Sequence, residues 1–382
     1  MRLERRSAPS AAWLVGAPFA AVGATLLLGS LLVLWAGAPL AQTFSAILQG
    51  GFGSVFALSE TLTRATPLIL TGLAAAVAFK ARLFNIGAEG QLYAGALAAV
   101  AVGGMHGGVG MGGLGGSPWL VFPLMMCAAA IAGAALLLVP ALLKSRLQVD
   151  EVVTTLLLNF IVLLGVGALL DGPMKDPTSM GWPQSVALSP DLELSKLIAQ
   201  TRLHTGLLLA CSLAVVVWII MKFTVLGFDI RAVGANARAA AFVGVRVNRT
   251  VVFTALLSGA LAGLAGAIEV AGRTSYVTLD MSPGYGYSGI VVAMLAGLHP
   301  LGVVAGSIFV AGMLVGADSM SRVVGVPTYI ADVIVAASLI FMLIAVMLVQ
   351  YRIIFDKRST KLSPDRSLNR SLRRNLNSKK PI

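Results

Sequence analysis

Charge is what this sequence has least of. Only 12% of its 382 residues are Asp, Glu, Lys or Arg, while 57% are hydrophobic, and the mean hydropathy is +0.89. A soluble domain carries about a quarter of its residues charged, so the composition is that of a membrane protein. Cysteine and histidine are scarce too. Cys127 and Cys211 lie in apolar runs without a neighbouring His or Cys and read as small core residues. His106, His204 and His299 stand in or beside loops and form no ligand spacing, so no metal site is expected. No nucleophile–base arrangement is visible, which argues against a membrane-embedded enzyme. Gly-Lys-Ser and Gly-Lys-Thr are both missing, so any ATP hydrolysis belongs to another subunit.

What the sequence has in abundance is apolar runs long enough to cross a hydrocarbon core about 30 Å thick. They fall near 12–36, 56–79, 86–104, 118–139, 152–170, 206–223, 250–268, 287–298, 301–317 and 329–349. The expected fold is all-α, a polytopic transmembrane helical bundle of about ten membrane segments, some broken or re-entrant. The run at 287–298 is too short to cross unless it extends upstream of Tyr287. The first run reads as a retained helix; small residues at 36-AGAPLAQ-42 leave a cleaved signal peptide as the alternative. A transmembrane domain over 1–350 is followed by a basic, serine-rich tail over 351–382, expected to be disordered near an anionic membrane face.

The formal charge of +12 does not point to nucleic acid, because the basic residues gather beside the ends of the apolar runs. Arg2, Arg5 and Arg6, Lys80 and Arg82, Lys144 and Arg146, those of 222–249 and those of the tail all fall on one side of the path. Lys175, Lys196, Arg202, Arg273 and Arg322 fall on the other. By the positive-inside rule the richer side is cytoplasmic, and both ends of the chain lie there. On the outside, 104–117 is a glycine-rich connector. The segment 171–205 is proline-rich, and 191-DLELSKLIAQ-200 is expected to form a short surface helix; it reads equally as a partner surface or a plain connector.

Several polar residues interrupt the apolar runs. Glu60 and Arg64 are four apart, share a helix face and can pair; facing a polar pathway is the other reading. In 83-LFNIGAEGQLYAGALAAV-100, Asn85, Glu89 and Gln91 stand among Gly87 and Gly90, which favours a broken helix start. Glu89 reads either as bordering a pathway or as an interfacial carboxylate at a helix N-terminus. In 280-DMSPGYGYSGIVVAMLAGLHPLG-302, Pro283, Gly284 and Gly286 prevent a regular helix. Tyr285 and Tyr287 suit the face of a base or sugar, or an interface anchor. Asn159, mid-way along the fifth run, and Asp332, at the start of the last, are further candidates for a polar pathway.

The segment 228-FDIRAVGANARAAAFVGVRVNRT-250 is too polar to cross and too alanine-rich for a loose loop. A short helix over 230–243 is expected, with Gly234 and Asn236 as points of interruption and Arg231 and Arg238 on one face. It can receive force from a soluble partner or lie on lipid.

Three passages resemble the integral-membrane permease subunits of ABC importers for nucleosides and simple sugars, relatives of the branched-chain amino acid and ribose permeases. They are 64-RATPLILTGLAAAVAFKARLFNIGAEGQLYAGALAA-99, 226-LGFDIRAVGANARAAAFVGV-245 and 284-GYGYSGIVVAMLAGLHPLGVVAGSIFVAG-312, within a likeness covering about 60–350. The first is the most specific and is closest to nucleoside permeases; the third is common to sugar permeases. The resemblance implies a bacterial inner-membrane protein paired with a sister permease, as a hetero- or homodimer. It also implies a separate ATPase subunit that uses ATP and Mg, and an extracytoplasmic substrate-binding protein. The chain itself would hold no cofactor. Gly234, Ala235 and Asn236 would lie in the coupling helix, flanked by Arg231 and Arg238. Asn85, Glu89 and Gln91 would stand beside the pathway. Import of a simple sugar such as ribose is the alternative within this architecture. An ion-coupled secondary transporter is the alternative outside it, and it leaves 228–249 without a role.

Overall fold

The computed structural model describes residues 2–5, 11–104 and 117–354. The chain divides into two compact units, one of residues 22–343 and a smaller one of residues 1–21 and 344–382. In the smaller unit β1 (Arg2–Arg5) pairs antiparallel with β2 (Tyr351–Ile354). The rest of the tail, from 355, lies outside the described residues, as do 105–116 of the glycine-rich connector and His106 within it.

The larger unit is a helical bundle, as expected. Two residues that forbid regular helix set its first turn-back. α1 (Ala11–Trp35) ends where Gly37 takes a positive φ of 73°, and Pro39 caps α2 (Leu40–Phe52). The two helices meet at 120°, so α2 is a re-entrant or broken piece. Ser54 then caps α3 (Val55–Lys80), its side chain accepting from the Ala57 amide at 3.0 Å. α3 is the central helix, with 83% of its most apolar stretch buried by protein. Around it run α4 (Ala88–Gly103), α5 (Pro118–Leu147), α6 (Glu151–Asp171), α7 (Gly206–Phe223) and α8 (Val225–Phe242). The chain continues as α9 (Val247–Glu269), α10 (Tyr285–Leu295), α11 (Pro300–Val324) and α12 (Thr328–Gln350). α6 is peripheral: only 17% of its apolar stretch is buried, leaving Leu157, Phe160, Ile161 and Leu164 exposed, as lipid-facing residues should be.

Glycines draw the inner helices together. A side-chain carbon on Gly95 of α4 would strike the Gly263 carbonyl of α9, and one on Gly133 of α5 would strike the Gly259 carbonyl. Close approach of backbones through small residues supplies the packing that a hydrophobic effect cannot supply within lipid.

Among the described residues seven helices are long and apolar enough to cross, or eight counting the bent α1–α2 pair. The ten expected runs overcount for a local reason. The run at 86–104 becomes α4, only 16 residues, because Arg82 to Gly87 are not helical. The run at 287–298 becomes α10, 11 residues, begun by Gly284 at φ 84°. At 1.5 Å per residue neither spans a bilayer core alone. The expected surface helix at 191–200 is not formed. A single 3₁₀ turn, Pro190–Leu192, is followed by chain tied down through the Leu194 amide to the Ala271 carbonyl (2.8 Å). Nor are the cysteines core residues: Cys127 is exposed and Cys211 half-buried.

Candidate functional site

Two short helices begin at the same place in the interior, and that junction gathers most of the polar residues singled out by sequence. A helix start leaves its first amides without intrahelical partners, and in a buried interior other protein groups must satisfy them. Glu89, in the first turn of α4, accepts from the Gly286 amide in the first turn of α10 at 2.6 Å. The two helix starts touch so closely that a side chain on Gly286 would collide with the Glu89 backbone. Asn159, fully buried on α6, accepts from the Gly90 amide (2.8 Å) and donates to the Ile86 carbonyl (2.8 Å) and the Tyr287 hydroxyl (3.1 Å). Asn85 and Gln91 face one another amide to amide, both bonds at 2.9 Å. Asn85 also accepts from the Gly87 amide and donates to Ser258, whose hydroxyl donates to the Ala74 carbonyl of α3.

The α10 start is held from further sides. Thr71 of α3 donates to the Tyr285 carbonyl at 2.9 Å. Beyond α9 the chain makes one π-helical turn, Val270–Thr274, and Arg273 in it donates to the Tyr285 hydroxyl at 2.8 Å. The same Arg273 nitrogen lies 2.7 Å from the carboxylate of fully buried Glu269. Sequence reasoning counted Arg273 only among the outer basic residues and passed over Glu269, although their four-residue spacing is the signal it used for Glu60 and Arg64.

Glu60 and Arg64 do not pair with each other. Arg64 bonds Asp318 of α11 at 2.5 Å, and among the described residues the cation within 4 Å of Glu60 is Arg202, 3.9 Å away on the segment before α7. Intrahelical spacing makes a pair possible, but here a neighbouring helix supplies the nearer anion. Both residues line a cavity of about 790 Å³ bounded by α2, α3 and α11. Its other polar lining comes from Gln42, Ser45 and Gln49 of α2, Ser54, Ser319 and Arg322 of α11, and Arg202. Asn85, Glu89, Gln91, Asn159, Tyr285 and Tyr287 do not border it. Thus the predicted pathway residues fall into two groups: a satisfied interior junction and a polar cavity.

At the Lys80 end of α3 the structure places α8. Gly234 packs against the backbone there, since a side-chain carbon on it would strike the Lys80 carbonyl. The expected interruption occurs at Asn236, whose backbone leaves the helical range (φ −158°, ψ 104°) and whose side chain accepts from the Arg238 and Ala239 amides. Ala235, Asn236 and Arg238 are exposed, as is Arg231. Lys144, at the end of α5, ties this end together by donating to the Arg82 carbonyl and pairing with Glu151. Near the cavity end, His204 is buried in the segment leading to α7. Burial and the Arg273 charge hold its imidazole down to about 4.

Residues 57–343 match a family described as branched-chain amino acid transport system / permease component. The chain is 36% identical to the guanosine ABC transporter permease protein NupP of Bacillus subtilis over 328 residues, 85% of this chain and 91% of that one. It is 35% identical to the glucose ABC transporter permease protein TsgB13 of Haloferax volcanii, over 94% of this chain and 96% of that one. It is 30% identical to the nucleoside ABC transporter permease protein NupB of Lactococcus lactis, over 90% and 96%.

Proposed function

We propose a function from a plain premise: the chain belongs to the branched-chain amino acid transport permease family. It is the membrane-spanning subunit of an ATP-driven ABC importer, and its substrates are nucleosides. The observation that carries this is likeness to guanosine and nucleoside permeases along nearly the whole chain. The cavity can accommodate such a solute, since beside Glu60, Arg64, Arg202 and Arg322 it is lined by amides and hydroxyls from Gln42, Ser45, Gln49, Ser54 and Ser319, groups that hydrogen-bond a many-hydroxyl solute.

The chain catalyses no reaction itself. A separate ATPase subunit binds ATP and Mg and docks on the exposed part of α8, where Ala235, Asn236 and Arg238 stand clear of the bundle. Gly234 lets α8 lie flat on the end of α3, so movement of α8 is passed directly to the central helix. A sister permease, related but distinct, completes the pathway; two different permeases bear the NupP and NupQ names in B. subtilis and the NupB and NupC names in L. lactis. A substrate-binding protein delivers nucleoside from outside the bacterial inner membrane, with both chain ends in the cytoplasm. The basic residues of the Lys80 end support that orientation.

A second reading, a sugar as substrate, is favoured by one observation, the likeness to a glucose permease over 94% of this chain. An ion-coupled transporter has no such support. Competitive uptake of labelled guanosine, uridine and ribose, in cells with and without this gene, separates these readings. Energy-dependent nucleoside uptake should disappear with the gene and persist for ribose; loss of ribose uptake alone would move the assignment to sugars.

A further inference from the structure

Resting on the reading that a binding protein delivers the solute, we propose that the hairpin of residues 195–205 and the end of α11 form the docking surface for that protein. Arg202 and Arg322 receive its acidic side chains. Both arginines are exposed and line the cavity of α2, α3 and α11, whose lining holds a third, Arg64, against a single carboxylate, Glu60. The three arginines are not equivalent. Arg64 is taken by Asp318. Arg202 lies 3.9 Å from Glu60 with 68% of its side chain exposed, so water screens that attraction. Arg322, in the last turn of α11, has no carboxylate of the described residues within 4 Å.

In the orientation proposed above, the cavity end of α3 is the outer one, on the side that topology keeps poor in lysine and arginine. An uncharged solute can use a guanidinium as a hydrogen-bond donor but gains nothing from its charge. Carboxylates of a protein partner gain from both, through paired, charge-assisted bonds. The hairpin holds its position before any partner arrives. Lys196 and His204 bridge its two arms, the Leu197 amide donates to the Leu203 carbonyl at 2.8 Å, and the Thr205 amide donates to the Ser195 carbonyl at 2.9 Å. At its tip the Thr201 hydroxyl donates to the Ile198 carbonyl at 2.9 Å. The hairpin leaves Leu197 and Ile198 exposed beside Lys196 and Arg202. An apolar patch rimmed by charged groups is the make-up of a protein–protein contact, and a surface ordered in advance loses little freedom on docking. Exposed charges at such a rim act chiefly on the rate and orientation of encounter, by an amount that salt reduces.

The test uses the complete transporter in nanodiscs of a neutral lipid and the guanosine-binding protein of the same cells, purified on immobilised guanosine. Association is followed at low and at high salt. Arg322→Gln should slow association at low salt and Arg322→Glu should slow it further, on the order of tenfold. Arg202→Glu should act in the same direction, and these differences should shrink at high salt. Lys175→Glu makes the same charge change at an outer lysine that does not line the cavity, and it should leave the rate near that of the wild type. Equal slowing by Lys175→Glu would reduce the effect to net charge, and unchanged association in the Arg202 and Arg322 variants would leave these arginines to lipid headgroups. Either result overturns the proposal. No association with the wild type at low salt overturns the delivery reading beneath it.

Discussion

Glu89 keeps its place in the interior by accepting the Gly286 amide, one of the amides that α10 cannot satisfy within itself. The bond needs an acceptor, and a neutral amide oxygen supplies one. Glu89→Gln should therefore preserve the junction, while Glu89→Leu leaves the Gly286 amide buried and unpaired at about 1–3 kcal/mol. Thermal unfolding of the purified chain in detergent checks this: the leucine variant should melt several degrees below the glutamine variant. Equal melting would show that the bond contributes nothing. The sequence makes such residues legible as a class, because Asn85, Glu89, Gln91 and Asn159 stand out against apolar neighbours. Their partners are not legible. Asn159 meets Gly90 from 69 positions away, and Arg64 takes Asp318 from 254 positions away in preference to Glu60. Local spacing lists possible pairs; which anion lies nearest is decided by how the helices pack.

Helix breaks follow from composition more readily than helix counts do. Gly284 and Pro283 begin α10 late, and the stretch after Lys80 delays α4, both as the glycines and proline suggest. Hydropathy alone still counts those pieces as crossings, since a half-helix enclosed by protein is as apolar as one enclosed by lipid. α8 was readable as a short amphipathic element, including its interruption at Asn236. Hidden from the sequence was the direction Gly234 faces, which is inward, onto the Lys80 carbonyl. Gly234→Leu should lift α8 from the end of α3. Nucleoside-stimulated ATPase activity of the assembled transporter should then fall severalfold or more, while the ATPase subunit's basal activity remains. Undiminished stimulation would mean that α8 transmits no force through this contact.

Taken together, the bundle separates two duties that the sequence had merged. The interior junction of α4, α6, α9 and α10 uses its polar groups on its own backbone, and the cavity of α2, α3 and α11, with Gln42, Gln49 and Glu60 in its lining, is the place proposed for a solute. Composition reveals a membrane protein and the three quoted passages reveal the family, but neither places the cavity. Its α2 wall is built from Gln42, Ser45 and Gln49, which lie outside those passages, between the first two apolar runs.

The central claim, that the α2–α3–α11 cavity carries the substrate, can be tested by thiol labelling. Ser45 is exposed at the cavity wall, and Cys127 and Cys211 can be replaced by Ser or Ala to give a chain without other thiols. With Ser45→Cys in that background, a membrane-impermeant maleimide is applied to cells holding the complete transporter, with and without guanosine. The account predicts labelling that guanosine slows severalfold. Labelling unaffected by guanosine, in a variant that still imports it, would contradict the account.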